Sequence, residues 1–252
     1  MATIPKRVSE RLIKQTRKFQ KVLKSALARD VNESDTVAII TDMLSIVFGY
    51  EKYSEITSEF SIRGTYCDLA VMVDGDIKFL IEAKAIGLEL KDSHLRQAVG
   101  YGSQQGIQWV VLTNGQSWEI YRIRFRKPVS YELLTSSDFL ELNPRKTEDQ
   151  ETLFLLCKEG LSRAVIEEYH KHVQGVNKFM IGAIMLSEKG LDFISRELKR
   201  TTHGLRVGND DINAIIQGEV LKRDVVEGEL IDQAKARVKK AAGRKMVKRK
   251  SK

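Results

Sequence analysis

Two acidic residues and one lysine stand in neighbouring strand-like segments, where their spacing would let them act together. The segment 66–73 contains Asp68, and the segment 78–84 contains Glu82 and Lys84. Because side chains alternate along a strand, Glu82 and Lys84 project from the same face. Two carboxylates and an amine on one sheet face can bind a cation and a charged substrate if the chain brings them together.

The register of the hairpin between the two segments decides whether the carboxylates meet. Asp74-Gly75-Asp76 is typical of a tight turn, and a three-residue loop would pair Val73 with Ile77 and set Asp68 directly opposite Glu82. Their Cβ atoms would then be about 4.5–5.5 Å apart. Carboxylates at that distance repel each other unless a cation lies between them, and carboxylate oxygens suit Mg²⁺. We therefore expect a magnesium site at Asp68 and Glu82.

Lys84 places a positive charge beside this predicted metal site. An amine there can hold or help deprotonate a metal-bound water, and its charge can meet a phosphate group. The opposite face of the hairpin is apolar, as a buried core requires; it carries Leu69, Val71, Val73, Ile81 and Ala83. The alternative interpretation is an aspartate at a strand start and a Glu–Lys pair on the surface, with no site at all.

The rest of the sequence divides into an α/β part and a helical part near residue 145. Apolar spacing predicts the following helices and strands before that boundary: helices 6–28, 32–49 and 91–104, and strands 55–62, 66–73, 78–84, 109–113, 118–124 and 129–134. After it, only helices are predicted, at 147–172, 174–186, 187–201, 210–219 and 221–242. We expect a mixed central sheet flanked by helices over residues 1–145, followed by an all-helical extension over residues 146–252.

The net charge of +8 is unevenly distributed along the chain. Residues 235–252 contain ten Lys or Arg and no acid, and residues 1–24 contain eight basic residues against the single acid Glu10. Subtracting these ends, at +10 and +7, leaves −9 for residues 25–234. Basic ends attract polyanions by releasing counterions. They are equally compatible with a role in solubility alone.

Several other classes of protein are disfavoured by the sequence. No apolar run approaches the roughly 18 residues of a membrane span, and the basic N-terminus is not followed by an apolar block, so we expect a cytoplasmic protein without a membrane partner. A GxxxxGK[ST] loop is absent from the sequence, so no ATP-driven motor is expected. Cys67 and Cys157 lie far apart without a CxxC motif, which indicates two core thiols.

Three further patterns stand in a fixed order around the acidic residues and the lysine. Asp68 is followed after thirteen residues by Glu82-Ala83-Lys84, and then by Gln97-Ala98-Val99-Gly100-Tyr101 on the next helix. Phe48-Gly49-Tyr50 precedes them, and Val111–Trp118 follows. The ordered set resembles the PD-(D/E)xK nuclease superfamily. Over roughly residues 30–125 it is similar, more narrowly, to the N-terminal nuclease domain of type I restriction enzyme R subunits.

This resemblance implies a restriction-endonuclease-like core that hydrolyses phosphodiester bonds in DNA with Mg²⁺, or with Mn²⁺ in its place, acting as an endonuclease in defence or DNA maintenance. Asp68 and Glu82 would be metal ligands and Lys84 the catalytic lysine. Members of the family often add an acid from the preceding helix, for which Glu33 is the first candidate and Glu59 the second.

Gln97 and Tyr101 match the QxxxY element of the same family. The resemblance gives this pair, four residues apart on one helix face, a supporting role at the site and a contact with the DNA backbone. The alternative interpretation is a surface amide and a core aromatic residue, which any amphipathic helix contains.

The chain departs from the R subunits in one large respect, because the ATP-dependent translocase of those proteins is not encoded in these residues. A second hypothesis is therefore a non-catalytic DNA-binding or assembly module that retains the nuclease fold. The apolar spacing of the helical extension favours a surface for a homo-oligomer or a partner protein.

Overall fold

The chain folds into two compact units, Met1–His170 and Lys171–Lys252. The structure is a computed structural model that describes residues 3–62 and 65–250, apart from the side chains of residues 59–66 and 244–250. Within this part of the chain, no helix is both long and apolar enough to cross a lipid bilayer.

A mixed β-sheet forms the centre of the first unit. In the described residues its strands are β1 (Ile56–Ile62), β2 (Thr65–Val73), β3 (Asp76–Ala83), β4 (Trp109–Thr113), β5 (Ser117–Arg124) and β6 (Ser130–Asp138). They lie side by side in chain order, and every neighbouring pair is antiparallel except β3 and β4. A parallel pair needs a crossover, and the helix α3 (Asp92–Gln105) supplies it. The predicted α/β class, a mixed sheet flanked by helices, is confirmed.

Helices cover both faces of this sheet because its central strands are apolar on both sides. One face packs against α3 through residues such as Leu80 and Leu112. The other face packs against α1 (Lys6–Ala28) and α2 (Glu33–Ile46). Such two-sided burial is typical of strands whose sequences are nearly continuous apolar runs.

The β2–β3 hairpin has a tighter turn than its sequence predicted. Val73 pairs with Asp76, not with Ile77, so the loop contains only Asp74 and Gly75. Both loop residues have positive φ angles, 55° and 83°, which is the conformation of the two-residue turns that suit twisted hairpins. A bulge after Val71 then restores the expected pairing toward the site, where Leu69 faces Ile81.

Arg11 fastens α1 to two other segments of the first unit. Its Nε donates to the carbonyl of Val47 at 2.9 Å, and its Nη2 donates to that of Phe48 at 3.3 Å. The same guanidinium forms a bidentate pair with Glu159, at 2.8 and 2.7 Å. The carbonyls of these two buried residues after α2 thus accept hydrogen bonds from a charged donor on another helix.

The helix predicted over 147–172 is wrong in its continuity, because the chain turns twice within it. It forms α4 (Thr147–Phe154), α5 (Lys158–Leu161) and α6 (Val165–Gly175). A Cβ on Gly160 would lie 2.1 Å from the carbonyl oxygen of Phe154, so the first turn closes too tightly for a side chain there. Ala164 has a positive φ of 53°, which breaks the helix a second time.

These short helices also explain why the two units divide later than the sequence-based boundary near residue 145. Leu153, Phe154, Leu155, Val165 and Ile166 are buried in the same core as α1, α2 and the sheet. The boundary therefore lies after His170, within α6. Cys157 is also part of this core, and Cys67 is buried against α3, so both are core thiols as predicted.

The second unit contains helices only in its described residues. They are the last turn of α6, α7 (Lys178–Met185), α8 (Glu188–Thr201), α9 (Asn209–Ile215), a π-helical turn (Ile216–Val220), α10 (Arg223–Val226) and α11 (Glu229–Lys250). Ala183 of α7 packs on Ile231 and Ala234 of α11. Leu191 of α8 packs on Ile212 and Ile216. The extension is helical, as predicted, with several small clusters in place of one large core.

Candidate functional site

The ammonium group of Lys84 lies among three carboxylates at one edge of the first unit. Its Nζ is 2.8 Å from Glu82 Oε1, 3.8 Å from Glu33 Oε2 and 4.0 Å from Asp68 Oδ2. The four residues come from the start of α2, from β2, and from the end of β3 and the residue that follows it. The structure thus brings together the three residues singled out by the hairpin pattern and the first candidate for a third acid.

The end of the β2–β3 ladder explains why Asp68 points into this group. The last backbone pair of the ladder toward the site is Leu69 with Ile81. Beyond it, Asp68 Oδ2 accepts a hydrogen bond from the backbone N–H of Ala83 at 2.7 Å, in the place of a backbone carbonyl. The carboxylate is thereby fixed beside the strand that carries Glu82.

Parallel pairing with β4 places the last two residues of the motif. Glu82 pairs with Leu112, and the N–H of Lys84 donates to the carbonyl of Thr113 at 2.9 Å. Lys84 comes just after the last residue of β3. A helix that packs on the other face of the sheet can therefore contact it, and α2 does so through Glu33. The site therefore lies at the end of β3, beside the first turn of α2.

Burial and charge act against each other on Glu82 and Lys84. Only 7% of the Glu82 side chain is exposed, so burial raises the pKa of this carboxyl group, and the hydrogen bond from Lys84 offsets part of the rise. Burial acts to lower the pKa of Lys84, but the hydrogen bond to Glu82 and the negative charges of Asp68 and Glu33 outweigh it and raise this pKa overall. Lys84 is therefore a cation at neutral pH, and the interpretation of Glu82 and Lys84 as a simple surface pair does not hold.

The donor atoms at this edge fit a hard divalent cation in their chemistry. Asp68, Glu82 and Glu33 offer carboxylate oxygens only, and Mg²⁺ needs just one or two of them together with water. Three acids against one lysine also leave an excess of acidic groups. Among the side chains that the structure describes, no set of three or more His, Cys, Asp or Glu residues is placed to hold a metal ion. The amine of Lys84 lies within 2.8–4.0 Å of the three carboxylates.

Two polar residues that sequence reasoning did not single out hold the segment after Lys84 in place. Thr36 is fully buried; its Oγ1 accepts from the N–H of Ile86 at 3.2 Å and donates to the carbonyl of Asn32 at 2.8 Å. Asn114 Nδ2 donates to the carbonyl of Leu88 at 2.9 Å. The Asn-Gly turn signalled a bend at 114–115, but nothing in the sequence indicated its contact with a distant loop.

The first turn of α2 is ordered by its own cap. Asn32 Oδ1 accepts a hydrogen bond from the N–H of Asp35 at 2.9 Å, which satisfies one of the free donors at the start of the helix. Glu33 is the first residue of that helix. Together with the Thr36 contact to Ile86, this cap sets the position of Glu33 relative to Lys84.

The remaining predicted site residues lie in different surroundings. Gln97 and Tyr101 lie on α3; Gln97 is exposed, whereas Tyr101 is buried between α3 and the sheet, where burial raises its pKa. The part that the resemblance gives them at the site stays a prediction. Glu59 lies in β1, and its side chain is outside the described residues.

Part of the chain matches a known protein family. Residues 39–136 match the family model described as type I restriction enzyme R protein N terminus. The matched segment includes Asp68, Glu82, Lys84 and α3, whereas Glu33 lies before it. No significant match was found among curated proteins or among solved structures.

Proposed function

We propose that this chain, whose residues 39–136 match the family model of the type I restriction enzyme R protein N terminus, is a metal-dependent nuclease that hydrolyses phosphodiester bonds in DNA. The observation that carries the proposal is the meeting of Glu33, Asp68 and Glu82 around the ammonium of Lys84. Acids and a lysine gathered at the partly exposed end of these strands are suited to a phosphate substrate and its counter-ion.

Asp68 and Glu82 are the residues that would hold the cation, with Glu33 as a third or water-mediated ligand. When bound, Mg²⁺ supplies Lewis acidity and neutralises charge on phosphate oxygens, and Mn²⁺ is expected to replace it. The hydrogen bond from Ala83 N–H keeps Asp68 turned toward the site, and the burial of Glu82 holds its carboxylate against the sheet.

Lys84 supplies the positive charge that the chain itself brings to the reaction. Its side chain is 15% exposed, so a phosphate group can reach it from solvent. An ammonium has three donors, of which one is directed to Glu82 at 2.8 Å, and the others remain for phosphate oxygens or for the attacking water. Charge placed in advance at this point stabilises the negative charge that develops as the bond breaks.

The non-catalytic alternative is supported by one specific feature of the same site. In this conformation Lys84 and Glu82 form a close ion pair, and the described residues include no set of three ready metal ligands. A protein that kept the fold and this ion pair but no longer bound a metal would have the same arrangement of side chains at the site. The two hypotheses differ in a single observable, which is cleavage.

The full chain should cut DNA only when a divalent cation is supplied. We expect purified protein to convert circular plasmid into nicked and linear forms in Mg²⁺ or Mn²⁺, and to leave it intact in EDTA. Cutting of a closed circle would also show endonuclease activity, since an exonuclease needs an end. A plasmid that stays intact with both metals, but whose mobility is retarded by the protein, would favour the binding module.

A further inference from the structure

The outward face of α1 is predominantly basic. Seven of its exposed side chains are Lys or Arg and one is acidic; they are Lys6, Arg7, Lys14, Arg17, Lys18, Lys21, Lys24 and the acid Glu10. The buried residues of the helix, among them Leu12, Phe19 and Leu23, recur on the opposite side. Because residues three, four and seven apart share one face of a helix, the basic residues form a continuous strip.

Five of the seven basic residues of this strip form no ion pair with a described residue. No described carboxylate lies within ion-pair distance of Lys14, Arg17, Lys18, Lys21 or Lys24. Arg11 on the same helix, by contrast, is turned toward Glu159. Like charges four residues apart repel each other and slightly destabilise a helix. A polyanion laid along the strip would relieve that repulsion.

The C-terminal end of α1 lies near the segment that follows Lys84. A Cβ added to Gly87, three residues after Lys84, would come within 2.9 Å of Asp30 Oδ1, just beyond the end of the helix. A Cβ added to Gly115 would come within 3.1 Å of Leu23. The strip therefore runs from the neighbourhood of the site toward the N-terminus, within the same compact unit.

The length and surroundings of the strip favour a nucleic acid duplex over a membrane. At about 1.5 Å per residue, a 23-residue helix is about 34 Å long, close to one turn of duplex DNA at about 34–36 Å. A helix that binds a lipid surface inserts an apolar face into it. The apolar face of α1 is already buried in the core and is not available for that.

We propose that the basic face of α1 binds the phosphate backbone of duplex DNA and aligns it with the site around Lys84. The identity of the polyanion rests on the proposed nuclease function. Contacts of this kind position a duplex without reading its sequence. Each lysine that neutralises a phosphate releases a counterion, so the binding should weaken steeply with salt.

The test compares two triple variants of the full chain that remove the same charge. In Lys14→Gln/Lys18→Gln/Lys21→Gln the strip is weakened. In the control, Lys78→Gln/Arg126→Gln/Lys127→Gln, the changes lie near the β2–β3 turn and in the β5–β6 turn, at the opposite end of the sheet from Lys84. Binding to a labelled duplex of about 30 base pairs, roughly three turns, is followed by fluorescence anisotropy in EDTA, so that cleavage plays no part.

The strip variant should bind about a hundredfold more weakly at low salt, and the slope of log affinity against log salt should fall by about 2 to 3, at about 0.9 per lost phosphate contact. The control should keep the slope of the unmodified protein. Equal losses in both variants would overturn the proposal, as would tighter α1-dependent binding to duplex RNA or to phosphatidylserine vesicles.

The same preparations separate this proposal from the proposed function. If the unmodified protein cuts DNA and the strip variant binds and cuts equally well, the α1 proposal is wrong and the nuclease stands. If binding depends on the strip but Mg²⁺ and Mn²⁺ never produce cleavage, the nuclease proposal is wrong and the α1 surface stands.

Discussion

Replacing Lys84 with alanine should reduce DNA cleavage about a hundredfold to a thousandfold, which is the range found when a preorganised donor to a developing charge is removed. The ammonium of Lys84 is the only cationic group recorded in ion-pair contact with Asp68 and Glu82 among the described side chains. Its loss takes away the positive charge that would face the substrate phosphate. Nicking of plasmid in Mg²⁺, followed over time, measures the effect.

The matched control for this variant is Lys78→Ala. Lys78 lies on the same strand, β3, but near the hairpin turn, where it pairs with Asp76 at 3.1 Å. It should cut at the unmodified rate. Thermal unfolding of both variants separates a loss of catalysis from a loss of fold. If a folded Lys84→Ala protein cut DNA as fast as Lys78→Ala does, the site proposed for catalysis would be wrong.

Replacing Arg11 with alanine should lower the free energy of unfolding by about 2–4 kcal/mol, as expected when one partner of a partly buried ion pair is removed. The change leaves Glu159 without its bidentate donor, and the carbonyls of Val47 and Phe48 lose the same guanidinium. Urea unfolding followed by circular dichroism gives the difference. Lys14→Ala, an exposed change on the same helix, should stay within about 0.5 kcal/mol.

The effect of Arg11 should also depend on pH in a defined direction. Burial acts to raise the pKa of Glu159, but the hydrogen bonds from Arg11 outweigh it and lower this pKa below the ordinary value of 4.5. A carboxylate with a lowered folded-state pKa stabilises the protein above 4.5 and loses that contribution as the pH falls through the folded value. The difference between Arg11→Ala and the unmodified protein should therefore shrink below pH 4.5, and a constant difference down to pH 3 would contradict this assignment.

The hairpin that carries the site was predictable because its apolar runs are long and its turn residues are distinctive. Leu69 faces Ile81 as expected, and the position of Asp68 beside Glu82 follows from it. The turn itself was placed one residue too long. A bulge compensates for the shorter loop, and neither strand contains a glycine or proline that would signal it.

The third acid illustrates the limit of reasoning from sequence. Glu33 precedes the matched segment and was chosen only by analogy with an acid on a preceding helix. Its distance of 3.8 Å from Lys84 Nζ depends on how α2 packs, and this is set by contacts such as that of Thr36 with Ile86, fifty residues away. Local patterns carry no information on contacts of that kind.

The division of the chain was misplaced for a similar reason. The spacing of apolar residues over 147–172 fits one long helix, and no proline interrupts it. The chain instead turns so that Leu155 and Cys157 enter the core of the first unit. The free energy gained by burying these side chains outweighs that of the helical hydrogen bonds lost at the turns. This balance cannot be predicted from the sequence without knowing the cavity that the side chains fill.

A crystal of the full chain soaked in Mn²⁺ would test the central claim most directly, because the anomalous scattering of manganese locates it independently of the protein atoms. We predict a manganese ion bound to carboxylate oxygens of both Asp68 and Glu82, at roughly 2.1–2.2 Å, close to the distance typical of Mg²⁺. A soaked crystal in which Lys84 remains paired with Glu82 and manganese binds elsewhere, or nowhere, would contradict the account.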